Sequence, residues 1–221
     1  MSRFLRGELA AMEAYTPGEQ LSDREYIKLN TNESPYPPTP EAARLITSGE
    51  IERLRLYPEP EGGALKAAIA EMYGLESDNV VLTNGSDEAL LYFFMAFCGG
   101  GGKVAFPDIT YGFYEVFAEL YGADYVKIPL GEDFTVNCED YYGICRNIVI
   151  ANPNAPTGLS VSVESIEKML KTNPDNIVLI DEAYVDFGGS SCVELIKKYD
   201  NLLVVQTFSK SRSLAGARLG F

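Results

Sequence analysis

Ile177-Val178-Leu179-Ile180-Asp181-Glu182-Ala183-Tyr184 is the stretch that decides the fold. Four apolar residues in succession, three of them β-branched, leave no polar face for water. That is the pattern of a short strand buried on both sides, as in a parallel sheet packed between helices. The run then breaks into two carboxylates and a tyrosine. A fully apolar strand that ends in ionisable groups delivers chemistry to one edge of a sheet.

The same strand pattern recurs on either side. Asn147 to Ala151 and Leu202 to Val205 read as strands, as do Lys103 to Phe106, Tyr125 to Leu130 and Asn79 to Thr83. Between them lie segments with helical spacing: 64–73, Ser86 to Phe97 with Ser86 as N-cap, Tyr111 to Tyr121, Val163 to Leu170, and Ser191 to Tyr199. Alternating strands and helices predict an α/β protein with three layers, αβα, around a mostly parallel sheet. Residues 1–60 differ. They carry Pro35, Pro37, Pro38, Pro40, Pro58 and Pro60, which rules out continuous helix or central strand and predicts a segment that wraps over this domain or a partner.

In a parallel α/β sheet, ligands bind beyond the carboxyl ends of the strands. Four predicted strands end in loaded loops: Asn84-Gly85-Ser86-Asp87-Glu88, Asn152-Pro153-Asn154-Ala155-Pro156-Thr157-Gly158, Asp181-Glu182-Ala183-Tyr184, and Thr207-Phe208-Ser209-Lys210. Each has a plain structural reading. Gly85-Ser86 is also a tight turn with a cap, the Asn152 loop is also a turn stiffened by proline, and Tyr111 also suits a helix core. Asp181 also suits a helix cap, or the magnesium carboxylate of an ATPase. The latter needs a G-x-x-x-x-G-K-[ST] loop, and Gly99-Gly100-Gly101-Gly102-Lys103-Val104 lacks both the first glycine and the hydroxyl. Together the loops bring a helix N-terminus fit for a phosphate, amides, a carboxylate with a tyrosine, and a lysine to one edge. Lys210, with hydroxyls beside it and Arg218 following, suits a Schiff base with a phosphorylated aldehyde.

Composition narrows the chemistry. The 221 residues hold 32 Asp and Glu against 18 Lys and Arg, a formal charge of −14, which disfavours nucleic acid and anionic membrane as partners. Histidine is absent, so Ser-His-Asp triads, Cys-His dyads and most zinc sites are excluded, and no metal site is expected. Cys98, Cys138, Cys145 and Cys192 show no metal-ligand spacing and read as reduced thiols of a cytoplasmic protein. No run suits a bilayer span, and Met1 to Glu8 has no signal-peptide core.

Taken in order, these motifs resemble the fold-type I pyridoxal-phosphate aminotransferases, and within them the histidinol-phosphate aminotransferase group. The likeness runs from Lys28 onward. Lys28 to Pro37 is similar to that group's substrate segment, Leu56 to Gly63 to its Tyr-Pro-Asp motif, and Asn84 to Glu88 to its phosphate turn. Asn152 to Gly158, Asp181 to Tyr184, Ser209-Lys210 and Arg218 complete the set. The resemblance implies that Lys210 carries the cofactor as an internal aldimine and shuttles the proton during transamination with 2-oxoglutarate. It implies that Asp181 pairs with the pyridine nitrogen, Asn154 and Tyr184 bond the phenolate oxygen, and Tyr111 stacks on the ring. Gly85, Ser86, Asp87, Thr207, Ser209 and Arg218 would hold the phosphate. Tyr57 would reach the cofactor of a second subunit in a homodimer, and Asn32 and Tyr36 would border the substrate.

By the same resemblance, 1–60 is an N-terminal arm and small-domain or interface segment, and 61–221 is the cofactor-binding large domain. Family members continue well past the position matching Phe221. The expectation is therefore a large domain incomplete at its C-terminus, lacking most of the small domain and the capacity for efficient transamination. Two other functions are compatible: a threonine-phosphate decarboxylase, and an inactive, truncated protein of this fold.

Overall fold

A computed structural model of the chain describes residues 27–45 and 48–221. The reading of Met1 to Glu8, and of the arm before residue 27, lies outside the described residues. Five strands form a single sheet: β1 (Lys103–Pro107), β2 (Asp124–Ile128), β3 (Asn147–Ala151), β4 (Val178–Asp181) and β5 (Leu202–Val205). Their order is β2-β1-β3-β4-β5, and every pairing is parallel. The chain moves outward from β1 to β2, then returns past β1 to β3. The order therefore reverses between β1 and β3, where an open α/β sheet splays its loops into a crevice.

Both faces of the sheet are dry. Val104, Phe106, Val149, Ala151, Leu179 and Val205 point to one layer, where they meet Leu90, Phe94, Tyr114 and Phe117. Ala105, Ile148, Ile150, Val178, Ile180 and Leu202 point to the other, against Ile166, Met169, Leu170 and Tyr141. Alternation along each strand thus places apolar residues on both sides, as the unbroken apolar runs require. The helices of the body are α3 (Gly63–Tyr73), α4 (Ser86–Phe93), α5 (Phe113–Tyr121) and α6 (Val163–Thr172). Among the described residues, two short helices precede them in the arm, α1 (Pro40–Leu45) and α2 (Ser48–Arg53).

Three expectations are corrected. Asn79 to Thr83 is not a strand: Ser77–Asn79 is a 3₁₀ turn, and only Thr83 makes a bridge, antiparallel to Gly220. Val80 is buried against Ile69 and Ala70, so its apolar character serves a small side cluster and not the main sheet. Ser86 is not the cap of α4 but its first residue. Gly85 caps the helix at φ +80°, a conformation that favours glycine. Ser191 to Tyr199 forms only a 3₁₀ segment, Val193–Lys197. The Cys192 N–H that precedes it is taken by the buried Glu182 carboxylate at 2.7 Å. Other bounds move by a few residues: α4 ends at Phe93 and continues as a π turn, Phe94–Cys98, and α5 begins at Phe113.

Candidate active site

A cavity of about 420 Å³ opens beyond the carboxyl edge of the sheet. Ser86 and Asp87 reach it from the start of α4, Tyr111 from the loop after β1, and Asp181 and Tyr184 from the end of β4. Thr207, Ser209, Lys210 and Arg218 reach it from the segment after β5. The parallel sheet explains the convergence, because all its strands finish at the same edge. The first predicted loop arrives without its strand, held by the Thr83–Gly220 bridge.

Asp181 is the most constrained of these groups. It is 5% exposed at the last position of β4. Its Oδ1 accepts the Ala183 N–H at 3.0 Å and its Oδ2 accepts the Tyr114 hydroxyl at 2.7 Å. Burial pushes its pKa up from the ordinary 3.8 to about 6; the two donors oppose that, and the carboxylates Asp87 and Glu182 add to it. None of these influences is a cation. A cationic group in the cavity would supply what the buried carboxylate lacks.

Lys210 Nζ donates to the Thr31 carbonyl at 3.1 Å and lies 5.5 Å from the centre of the Tyr184 ring. The Tyr184 hydroxyl accepts from Asn32 Nδ2 at 2.9 Å. The Ser34 and Ser213 hydroxyls meet at 2.8 Å. A turn of the arm therefore lies across the lysine, with Thr31 and Asn32 at φ +61° and +52°. Tyr111 donates its hydroxyl to Asp87 Oδ1 at 2.8 Å and presents its ring to the cavity.

Arg218 donates to the carbonyls of Ala215 at 3.2 Å and Asn84 at 3.3 Å, which ties the segment after β5 to the turn that precedes α4. A side chain at Gly85 would collide with the Arg218 guanidinium, and one at Gly220 would collide with the Gly85–Ser86 backbone. The Thr207 hydroxyl lies 3.0 Å from the Ser209 hydroxyl and accepts the Ser209 N–H.

Five expected site residues stand apart from the cavity lining: Gly85, which lies against the Arg218 guanidinium, Asn32, which reaches Tyr184 from the arm, and Asn154, Tyr57 and Tyr36. Asn154 is buried with its amide engaged: Nδ2 donates to Ile109 O and Thr157 Oγ1, and Oδ1 accepts from Thr110. Tyr57 is fully exposed, and Tyr36 is also in solvent. Conversely, Thr31, Glu33, Tyr114 and the Ala215-Gly216 backbone belong to the site or its wall without having been singled out in the sequence. Tyr114 carried one legible signal. It follows Tyr111 by three residues, the spacing that puts two side chains on one helical face.

The chain is similar to known proteins in both sequence and fold. The pattern of "Aminotransferase class I and II" matches residues 24–221. The histidinol-phosphate aminotransferase of Brachyspira hyodysenteriae is 53% identical over 222 residues, covering all of this chain and 63% of that protein. The chain thus spans less than two thirds of the length of that relative. Among solved structures, the histidinol-phosphate aminotransferase of Sinorhizobium meliloti, in complex with pyridoxal-5'-phosphate, superposes with a TM-score of 0.79 at 24% identity. The match covers 86% of this chain and 54% of that one, and it speaks for the fold. The L-threonine-O-3-phosphate decarboxylase of Porphyromonas gingivalis gives a TM-score of 0.69 at 25% identity over 78% of this chain and 55% of that one. By the reach of the family pattern across nearly all of its described residues, this chain belongs to the class I and II aminotransferases.

Proposed function

We propose that the chain carries the pyridoxal-phosphate site of an aminotransferase that moves the amino group of histidinol phosphate to 2-oxoglutarate. The observation that carries this reading is the presence of Lys210 and the buried Asp181 in the lining of one cavity. When bound, pyridoxal phosphate supplies the electron sink that stabilises a carbanion at the substrate Cα. Asp181 then provides the anion opposite the protonated ring nitrogen, which relieves its own buried charge. Lys210 Nζ would be the amine that holds the cofactor's aldehyde carbon before substrate binds and, once the substrate amine displaced it, would be free to move the proton at the substrate Cα. To do so it exchanges its bond to the Thr31 carbonyl.

Tyr111 covers one face of the ring and keeps water from it. The Gly85-Ser86-Asp87 backbone at the start of α4, the Thr207 and Ser209 hydroxyls and Arg218 hold the phosphate, with the helix N-terminus favouring its charge. Tyr184 bonds the phenolate oxygen. Asn154 does so only by giving up a bond to Ile109 or Thr157. Asn32 and Tyr36 border the substrate. The division near residue 60 is functional: 61–221 forms the large domain, and the arm offers Tyr57 to the site of a second copy. The setting is the cytoplasm.

Spectroscopy and an assay test the reading. Mixing the protein with pyridoxal phosphate is expected to give a visible absorbance band that borohydride abolishes and that Lys210→Ala never forms. A band that survives in Lys210→Ala would remove the lysine from its role. Glutamate formed from 2-oxoglutarate and histidinol phosphate supports the aminotransferase. Carbon dioxide released from threonine phosphate without glutamate would move the chain to the decarboxylases.

A further inference from the structure

We propose that Tyr114 is a positioning residue for the reaction: its phenol holds Asp181 in the ionised form, and in the orientation, that faces the cofactor's ring nitrogen. The proposal rests on the reading of Asp181 given above. Tyr114 lies in the first turn of α5, with no exposed surface. Its hydroxyl donates to Asp181 Oδ2 at 2.7 Å while the Ala183 N–H holds Oδ1. Each carboxylate oxygen thus has one fixed donor, and the plane of the carboxylate is set before anything enters the cavity. The phenol is itself held edge-on by Phe106 and Tyr111, with ring centres at 6.0 and 5.6 Å.

The electrostatics require such a donor. Asp87, at the start of α4, and Glu182, at the end of β4, both oppose the ionisation of Asp181, as does burial. Tyr111 donates to Asp87, which leaves Tyr114 as the side chain whose hydrogen bond favours the Asp181 carboxylate. The cations of the site, Lys210 and Arg218, line the same cavity but hydrogen-bond the Thr31, Ala215 and Asn84 carbonyls, not the Asp181 carboxylate. Two phenols three residues apart therefore serve two carboxylates. A residue that merely filled the core at position 114 would do so equally well as phenylalanine.

Tyr114→Phe removes the hydroxyl and keeps the ring. In the cofactor-free protein, the Asp181 carboxyl is titrated by infrared difference spectroscopy, with Asp181→Asn identifying its band. Loss of a donor to a charged group is expected to raise the midpoint by about one pH unit; an unchanged midpoint would overturn the proposal. Binding of pyridoxal phosphate is then compared at pH 7 with that of an analogue carrying CH in place of the ring nitrogen. Tyr114→Phe is expected to weaken pyridoxal phosphate about tenfold and leave the analogue unchanged. Equal weakening of both would reduce Tyr114 to a packing role. Wild-type discrimination fully retained by Tyr114→Phe would overturn the proposal alone. Equal wild-type affinity for the two cofactors would overturn the reading of Asp181, and this proposal with it. Should Tyr114→Phe fail to fold, a fluorinated tyrosine at 114, a stronger donor, is expected to shift the midpoint down, and no shift would count against the proposal.

Discussion

In β3, Ile148, Val149 and Ile150 are completely buried. In the arm, Leu29, Leu54 and Tyr57 stand 87%, 81% and 101% exposed. Both regions are rich in large apolar side chains, yet only the body spends them on its own core. α1 buries none of its residues. The arm's described contacts with the far end of the chain are polar and few: Thr31 with Lys210, Asn32 with Tyr184, and Ser34 with Ser213. Its described apolar residues, in a segment that also carries Tyr57, therefore lie open on the surface of the single chain.

The contrast predicts opposite responses to the same kind of change. Ile150→Ala, at the centre of the sheet, is expected to cost about 2–5 kcal/mol through lost burial and the cavity left behind; denaturant unfolding measures it, and a loss below 1 kcal/mol would break the comparison. Asp181→Asn is expected to stabilise the cofactor-free protein. With a folded pKa of about 6 against an ordinary 3.8, the folded carboxyl keeps a proton that the unfolded chain has released. Stability is therefore lost as pH rises through that window, and the full cost, about 3 kcal/mol, is present at pH 7. The variant should gain that amount at pH 7 and nothing below about pH 4. Melting curves across that range check it, and a gain independent of pH would show that the titration is not its source.

At the small end, Leu54→Ala in the arm is expected to change unfolding of the single chain by no more than about 0.5 kcal/mol. If the arm serves a second copy, Leu54→Asp should lower the mass seen in sedimentation and leave the melting of the isolated chain alone. Unaltered mass would mean that the arm's apolar face is not spent on a second copy.

The two regions were also unequally legible. β5 begins and ends where its apolar run does, and β3 adds only Asn147 ahead of its run, because a strand buried on both faces admits few polar residues. Asn79 to Thr83 has the same composition but became a side cluster, since pairing depends on what lies beside a strand and not only on its residues. Lys210, Asp181 and Tyr111 were legible as residues of one cavity because each sits at a strand end or a few residues past it, and Arg218 because it follows Lys210 in the same segment. Tyr114 was not singled out because its partner lies 67 positions away, and no local pattern reports such a distance. Asn154 was legible as an amide in the right loop. That its amide is taken by Thr110, Ile109 and Thr157 is a tertiary fact. The Glu182 carboxylate, bonded by Ser191, Cys192 and Gln206, was likewise invisible beside the more obvious Asp181.

The Thr83–Gly220 bridge has a consequence for how the protein is made. The cradle at Gly85-Ser86 rests on backbone that emerges from the ribosome long after α4 does. Strands β1 to β5 can pair as they appear, but the Gly85-Ser86 turn has no floor until Gly220 returns to it. Contacts between residues so distant in sequence form late, because a long loop must close before they repay its entropy. The sheet therefore exists as a scaffold before the cradle does, and the growing chain completes the Gly85-Ser86 turn only after β5 and the segment beyond it have appeared.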